Sequence, residues 1–374
     1  MLVISAGGLK GGLQCLYLAA TNDSWEIVSH AFVPYPQKIV QLLEQITSGT
    51  SLQIAASDLA WLDNKLSMLY TDCAKTILNQ LPATLRTPHC AVLNKPSLWR
   101  GQCTDGQPGG YWDLPIGDAQ HLSSSLGIPV VTDLVRHHCL AGGQGTLPTD
   151  CGNQRIAASC GGIVIFLNIG LIARMTIVDT GSASILVDSD TGPGTCCINA
   201  LIKRHAIGSD TEGFDRDGTL AAHGTVDGDC LKTLTEDPWF ATAAPKSASA
   251  RLFESFIDSS ALTALPVNNQ LATITALTAR TIYDFYRREF KQLSTGQTVY
   301  LSGGGSNNQT LTSYLKTFFD TIPVKSVEEL GIPLDMRIPL ALGLTVNAFI
   351  AGLEVPWNGG TSPKMPPIGK WVLP

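Results

Sequence analysis

Ile128-Pro129-Val130-Val131-Thr132-Asp133-Leu134 is an apolar stretch that leads directly into Val135-Arg136-His137-His138-Cys139-Leu140-Ala141-Gly142-Gly143-Gln144-Gly145. The first part is typical of a buried β-strand, and the glycines indicate a turn. His138 is the sharpest functional candidate, because an imidazole titrates near neutral pH and can act as an acid or a base without a metal. Asp133 can orient His138 or a substrate hydroxyl, or it can hold the loop backbone. We therefore predict a catalytic pair of His138 and Asp133.

The bulk composition predicts a well-packed α/β protein with room for two domains. The chain has 374 residues, of which 44% are hydrophobic and only 15% are charged, and it contains 36 Gly and 21 Pro. A chain of this length can bury a large core, and this composition differs from that of disordered segments. The net charge of −6 argues against nucleic acid or an anionic membrane as the main partner. We therefore expect a small-molecule substrate, with no nucleic acid and no membrane as partners.

The sequence indicates neither targeting nor metal binding. Its first residues form a short apolar strand and lack the basic start and long apolar core of a signal peptide. No stretch approaches the length needed to cross a bilayer. The ten cysteines are scattered along the chain, so we predict reduced and mostly buried thiols. These features predict a cytoplasmic protein without a metal site.

The order of the predicted elements repeats along the chain. Two apolar strands flank a glycine turn at residues 7–12, and a third strand and helices follow. A second strand, glycine turn and strand begin near Ile163, and helices follow again. This repeat predicts two similar α/β lobes around a central cleft. We place lobe 1 at residues 1–135, joined by residues 346–374, and lobe 2 at residues 136–345.

A series of motifs resembles, in the same order, those of the anhydro-N-acetylmuramic acid kinase family, which are sugar kinases of the actin/hexokinase-like ATPase class. The motifs are Gly117-Asp118-Ala119, Leu167-Asn168-Ile169-Gly170, Asp190-Thr191-Gly192-Pro193-Gly194, Asp215-Arg216-Asp217-Gly218, Pro245-Lys246-Ser247, Ser302-Gly303-Gly304-Gly305-Ser306-Asn307-Asn308 and Glu329-Leu330-Gly331-Ile332-Pro333. The resemblance implies the duplicated, ribonuclease H-like fold of actin-like ATPases, with two lobes around a cleft. It also implies a homodimer.

The resemblance marks the positions at which the family holds a nucleotide. Its first phosphate loop reads Gly-Thr-Ser, any residue, Asp-Gly, whereas this chain has Ala6-Gly7-Gly8-Leu9-Lys10-Gly11. The two hydroxyls are replaced by glycines, and the Asp that would help to hold Mg²⁺ is replaced by Lys10, a cation that repels the metal. We therefore interpret the nucleotide-binding positions as vestigial. They are Gly7, Gly8, Gly11, Gly170, Gly192, Gly194, Gly303, Gly304, Gly305 and Asn308.

Other departures fall on positions that contact substrate in the family. The family's general base, an Asp, aligns with His138, and its sugar-contacting Glu aligns with Ile338. The retained positions are mostly glycines, prolines and apolar residues that set the shape of the backbone. Some polar side chains remain as candidates for binding a substrate or an anion such as a carboxylate, although each can also be a solvated charge or hold its own turn. They are Lys10, Arg174, Gln144 and Asp190.

Three hypotheses of function remain open. The pattern of losses favours a repurposed enzyme that uses His138 for ATP-independent acid–base chemistry on a small organic metabolite. Such an elimination, isomerisation or cyclisation requires no cofactor. The second hypothesis is an ATP-dependent anhydro-N-acetylmuramic acid kinase that tolerates the substitutions and uses ATP and Mg²⁺. The third is a catalytically inactive binding module.

Overall fold

The computed structural model describes residues 1–6, 11–47, 54–102, 111–143, 145–205, 213–290, 296–353, 355 and 368–374. Four of the predicted site residues, Gly7, Gly8, Lys10 and Gln144, lie outside the described residues. Among the helices that are described, none is long and apolar enough to span a lipid bilayer.

Groups of strands are followed by groups of helices along the described chain. The strands are β1 (Leu2–Ala6), β2 (Gly12–Ala20), β3 (Trp25–Pro34), β4 (Ala91–Asn94), β5 (Ser97–Gln102), β6 (Tyr111–Pro115), β7 (Val130–Thr132), β8 (Ile163–Ile169), β9 (Ile172–Asp179), β10 (Ser184–Pro193), β11 (Gln297–Ser302), β12 (Val324–Ser326) and β13 (Lys370–Val372). The helices are α1 (Gln37–Thr47), α2 (Ala56–Asn79), α3 (Ala119–Leu126), α4 (Leu134–Leu140), α5 (Asp150–Ala157), α6 (Cys196–Arg204), α7 (Thr219–Ala222), α8 (Gly228–Thr235), α9 (Pro238–Ala241), α10 (Ala250–Glu254), α11 (Ser260–Thr263), α12 (Val267–Glu289), α13 (Gln309–Phe319) and α14 (Arg337–Ile350).

The first compact unit comprises Met1–Ile156 and Asp335–Pro374. Its main sheet has the order β13-β7-β4-β1-β2-β3. The strands β1, β2 and β3 are antiparallel neighbours, which short turns can join, whereas β1, β4 and β7 run parallel and require longer crossovers. Helix α2 packs on one face of this sheet. Helix α14 packs on the other face, where a Cβ added to Gly343 would lie 2.8 Å from Val3 Cγ2.

The second compact unit comprises Ala157–Leu334. Its sheet has the order β10-β9-β8-β11-β12. The strands β8, β9 and β10 are antiparallel neighbours, and β8, β11 and β12 run parallel. The long helix α12 contributes Ala279, Ile282 and Phe285 to the core beside these strands.

The two sheets repeat one topology. Without the β5–β6 hairpin and the edge strand β13, the strands of each unit follow the order 3-2-1-4-5, counted within that unit. In both units the first three strands are antiparallel, and the last two run parallel to the first. This is the strand order of a ribonuclease H-like unit, and its duplication defines the actin-like ATPase fold. The predicted fold class is therefore confirmed.

One predicted strand is shorter than the sequence suggested. The apolar stretch at residues 128–134 predicted a strand over its full length, but β7 ends at Thr132. Asp133 then adopts a left-handed backbone conformation with φ 57°, and Leu134 begins α4. The apolar side chains of Leu134 and Val135 are buried as part of a helix, so hydrophobicity alone did not distinguish the two elements.

The boundaries of the two units also differ from the predicted positions. We placed them at residues 135/136 and 345/346, whereas the chain divides after Ile156 and after Leu334. Helix α5 belongs to the first unit because it packs closely on α14. The backbone N–H of Gly152 donates to Thr345 Oγ1 at 2.9 Å, and a Cβ at this glycine would lie 1.9 Å from the Ala341 carbonyl oxygen.

Candidate active site

Polar side chains gather at the carboxyl edge of the first unit's sheet. Ser5 lies near the end of β1, Asn94 ends β4, and Asp133 follows β7. Because these three strands run parallel, their carboxyl ends meet at one edge, which is where α/β sheets commonly bind ligands. The amide of Asn94 donates to Ser5 Oγ at 3.0 Å. The first unit therefore presents a polar edge in a position suited to a small substrate.

Asp133 forms an ion pair at this edge. Its carboxylate Oδ1 lies 2.7 Å from Lys95 Nζ, and the two side chains are only 13% and 11% exposed. Asp133 precedes α4 without making a side-chain cap hydrogen bond. The structure therefore gives Asp133 a charged partner that the sequence analysis did not predict.

His138 is buried in the last turn of α4, against the loop that follows this helix. The backbone N–H of Thr146 donates to His138 Nδ1 at 2.9 Å. A Cβ added to Gly143 would lie 2.2 Å from His138 Nε2, so only a glycine can cover this edge of the ring. An N–H group can only donate, so Nδ1 is an acceptor and the neutral ring carries its proton on Nε2. These contacts attach the ring to the loop, and the role of His138 as a general base stays a prediction.

A small pocket opens beside the Asp133–Lys95 pair. The short β5–β6 hairpin supplies one part of its wall, on which Ser97 Oγ donates to the carboxylate of Asp113. The pocket is lined by Asn94, Lys95, Asp113, Pro115, Asp133, Leu134 and Val135. The sequence analysis missed Asp113, although the alternation of residues 111–115 is typical of a strand and could have indicated it.

Two of the predicted anion-binding candidates contact each other in the second unit. Arg174 on β9 donates through Nη1 to Asp190 Oδ1 on β10 at 3.2 Å, and through Nη2 to Asp188. The other Asp190 oxygen accepts from the Ala248 backbone N–H at 2.8 Å. Burial raises the pKa of Asp190, while the nearby Arg174 guanidinium opposes that rise. An external anion would therefore compete with two carboxylates for Arg174.

Asp188 was not predicted as a site residue, although the sequence contained a signal for it. Asp188 and Asp190 are two positions apart on one strand and therefore project from the same face of the sheet. Arg174 pairs in register with Asp190 on the neighbouring strand. The alternation of acidic residues along β10, set against a basic residue in β9, is the pattern that would have found this cluster.

Several predicted nucleotide-binding glycines lie where two segments of the chain pack in close contact. A Cβ on Gly194 would lie 2.2 Å from the Gly170 carbonyl oxygen, and one on Gly303 would lie 2.7 Å from the Ile169 oxygen. A Cβ on Gly305 would lie 2.3 Å from Ile169 Cγ2. These glycines are required for packing in the second unit, whatever ligand it binds.

The remaining predicted nucleotide positions have different surroundings. A Cβ on Gly304, which is exposed after β11, would meet no protein atom within 4 Å. A Cβ on Gly192 would approach Thr281 Oγ1 to 2.9 Å. Asn308 caps α13 by accepting from the Leu311 N–H at 2.9 Å. Gly11 lies exposed just before β2 in the first unit. A ligand can thus approach the backbone at Gly304 without displacing side chains.

The described residues do not form a ready-made metal site. In that part of the chain, no three His, Cys, Asp or Glu side chains are grouped closely enough to hold an ion. Both carboxylate oxygens of Asp190 are engaged by Arg174 and by the Ala248 N–H. Direct coordination of Mg²⁺ by Asp190 therefore does not fit its observed contacts.

The repeated topology and the two carboxyl edges define a protein of the actin-like ATPase class. A sequence model of the anhydro-N-acetylmuramic acid kinase family matches residues 3–366. The chain belongs to this family, as the motifs had indicated.

Individual relatives agree with the family match. A Streptomyces coelicolor protein named anhydro-N-acetylmuramic acid kinase is 30% identical over 344 residues, which cover 89% of this chain and 82% of the relative. A protein of the same name from Nitrobacter winogradskyi is 31% identical, over 72% of this chain and 71% of its own. Another from Gloeobacter violaceus is 27% identical, over 91% and 88% of the two chains.

These matches correct the favoured functional hypothesis. The sequence analysis predicted an ATP-independent lyase, isomerase or cyclase, but the family and these relatives are named as kinases. The prediction gave too much weight to single substitutions in the phosphate loops. Phosphoryl transfer depends mainly on positioning and charge neutralisation, which different side chains can provide. The chain is therefore a member of an enzyme family with kinase chemistry.

Proposed function

We propose that this protein is an ATP-dependent kinase that acts on anhydro-N-acetylmuramic acid. The observation that carries the proposal is the family match, which extends from residue 3 to residue 366 and so spans both units. The relatives are named for this activity, and the matches cover 82% and 88% of the length of two of them. The chemistry would transfer the γ-phosphoryl group of ATP to the sugar.

We assign ATP to the glycine turn of the second unit. Gly303 follows β11 with φ 84°, and the exposed Gly304 leaves its backbone open to a ligand. Backbone N–H groups at a strand end before a helix suit the polar and anionic groups of a nucleotide. Because Asp190 is already engaged, Mg²⁺ would be held mainly through phosphate oxygens and water, as is common for this ion.

We assign the sugar to the polar pocket of the first unit. Asn94, Lys95, Asp113 and Asp133 provide donors and acceptors suited to hydroxyl and acetamido groups. Lys95 and Asp133 are held by their ion pair. The pocket offers fixed polar groups beside the apolar side chain of Leu134. Its volume of about 180 Å³ is smaller than that of a typical small-molecule site, so it would contact only part of the sugar.

The direct test is an assay for phosphorylated sugar. The purified full chain is incubated with anhydro-N-acetylmuramic acid, ATP and Mg²⁺, and the product is followed by mass spectrometry and by ADP release. We expect a phosphorylated sugar product, formed only when ATP is present. A protein that binds ATP but forms no such product would instead be the inactive binding module.

Gly304→Val tests the assignment of the nucleotide. A larger side chain here should raise the KM for ATP about tenfold or more, because it occupies the open space above the turn without a clash in the protein. Gly161→Val is the matched control, since a Cβ there also meets no protein atom within 4 Å. If the two variants have equal KM values for ATP, the nucleotide does not bind at this turn.

A further inference from the structure

A row of polar side chains crosses the second sheet at its carboxyl edge. Asp190 on β10 pairs in register with Arg174 on β9, and Arg174 pairs in turn with Asn168 on β8. Asn168 pairs with Ser302, the last residue of β11, and Ser302 Oγ donates to Asn168 Oδ1 at 3.3 Å. Residues that pair in register lie on the same face of a sheet. The row therefore leads from Asp190 to Gly303, where the turn assigned to ATP begins.

The Arg174 guanidinium lies between two carboxylates in this row. It donates through Nη1 to Asp190 Oδ1 at 3.2 Å and through Nη2 to Asp188. Thr176 Oγ1 donates to the other oxygen of Asp188 at 2.8 Å. The side chains of Arg174, Asp188 and Asp190 are only 15%, 7% and 10% exposed, so salt and water screen their charges weakly. With both carboxylates ionised, the three groups carry a net charge of −1.

A divalent cation could make the same contacts as this guanidinium. Carboxylate oxygens are the ligands that Mg²⁺ and Mn²⁺ prefer, and Asp188 and Asp190 each direct one at Arg174. The positive charge of Arg174 is part of the chain and does not titrate, because a guanidinium stays protonated in proteins. A second cation at this point would be repelled. A metal ion would therefore have to displace Arg174 in order to reach either carboxylate.

We infer that Arg174 is a built-in counterion that takes the place of a divalent cation at the nucleotide edge of this chain. Without it, Asp188 and Asp190 would add a second negative charge to the edge assigned to ATP, and the polyanionic nucleotide would bind more weakly. Arg174 also makes these carboxylates unavailable to a free divalent ion. The effect on ATP rests on the proposed kinase function, whereas the exclusion of the ion concerns the protein alone.

A metal titration without nucleotide tests the exclusion of the ion. Mn²⁺, a paramagnetic substitute for Mg²⁺, is added to the full chain, and the free ion is followed by electron paramagnetic resonance. Arg174→Gln keeps a polar side chain without the charge, and it should bind one Mn²⁺ per chain more than the wild type does. Arg174→Lys, which retains a cation, should bind as the wild type does. Arg280→Gln is the matched control, because it breaks the exposed Arg280–Asp284 pair.

The extra Mn²⁺ should disappear in Arg174→Gln/Asp190→Asn, which lacks one of the two carboxylates. Thermal unfolding gives a second readout, since an ion that binds the folded state raises its Tm. Mn²⁺ should therefore raise the Tm of Arg174→Gln more than that of the wild type. Equal Mn²⁺ binding by these two proteins would overturn the inference. If Arg174→Gln folds neither with nor without Mn²⁺, an ion cannot replace the guanidinium and the inference is also wrong.

The phosphorylation assay tests the effect on ATP. In Arg174→Gln, the KM for ATP should rise about tenfold when free Mg²⁺ is low, because an additional negative charge faces the phosphates. Excess Mg²⁺ should restore the KM in this variant and leave that of the wild type unchanged. A KM that does not rise, or that stays high in excess Mg²⁺, would contradict the inference. If the wild type forms no phosphorylated sugar, the proposed function fails, and the Mn²⁺ titration still decides the inference.

Discussion

The two units share one strand order but differ at the carboxyl edges of their sheets. In the first unit the edge presents charged side chains, with Lys95 and Asp133 paired beside a pocket. In the second unit the edge consists of glycine turns, in which Gly194 lies against the Gly170 backbone and Gly304 remains open. One scaffold thus provides side-chain chemistry in one copy and backbone contacts in the other. Under the proposed function, the duplicated fold divides the recognition of the sugar and of ATP between its two copies.

The largest expected effect concerns the packing of the glycine turns. Gly194→Ala places a Cβ 2.2 Å from the Gly170 carbonyl oxygen, and it should lower the free energy of unfolding by about 2–3 kcal/mol, as overpacking of a rigid contact does. The control Gly161→Ala, in open space at the start of the same unit, should change it by less than about 0.5 kcal/mol. Denaturant titration of both variants makes the comparison. If the two variants are equally stable, Gly194 does not pack closely against the Gly170 backbone.

A smaller effect is expected at the charged edge of the first unit. Lys95→Met leaves the Asp133 carboxylate without its ammonium partner at a site that is only 13% exposed. We expect a loss of about 1–2 kcal/mol in the free energy of unfolding, less than for a fully buried pair because both groups keep some contact with water. Asp133→Asn keeps a residue type that tolerates the left-handed conformation.

The double variant completes a thermodynamic cycle for this pair. If the ion pair stabilises the fold, the double variant Lys95→Met/Asp133→Asn should lower the free energy of unfolding by less than the sum of the two single variants. Strict additivity would mean that the two charges act independently. The ion pair would then contribute nothing to the stability of the charged edge.

The smallest effect is a pH dependence in the second unit. Lys246 is buried and donates from Nζ to the carbonyl oxygens of Trp239 and Phe240, at 2.9 and 3.1 Å. Burial lowers the pKa of Lys246 from 10.5 to about 8. Between these values the unfolded chain holds the proton and the folded protein has released it. The contribution of this group to the free energy of unfolding should therefore rise with pH across that window.

Thermal unfolding of the wild type and of Lys246→Met measures this contribution. The melting temperature of the wild type relative to the variant should increase from pH 8 to pH 10. Lys232→Met, at an exposed site on α8, should show no such trend. A difference that stays flat or decreases over this range would mean that Lys246 keeps its proton in the folded protein.

The sequence predicted several elements well because their signals are local. The strands β1 and β2 follow from their apolar runs, and α2 follows from its helical spacing. The β5–β6 hairpin was missed because residues 97–115 combine short apolar segments with many turn-forming residues. The extent of β7 was overestimated because the left-handed conformation of Asp133 depends on its surroundings.

The candidate site was only partly predictable for the same reason. His138 and Asp133 lie five residues apart in the sequence, and their proximity suggested a pair. In the structure, Asp133 contacts Lys95, which lies 38 positions earlier, and His138 accepts from Thr146. Such partners depend on which strands meet at a sheet edge and on how a loop closes over a ring. One-dimensional spacing does not contain that information.

The sequence alone determined the class of fold and the family, because repeated hydrophobic patterns and ordered motifs are properties of the chain itself. It also located the glycine turns. Only the tertiary structure decided which glycines are packed and which are open, and which carboxylates share the pocket with Lys95. It also decided that His138 is covered by Gly143. The physical reason is that burial, hydrogen bonding and charge pairing act over a few ångströms in space, between residues that can be far apart along the chain.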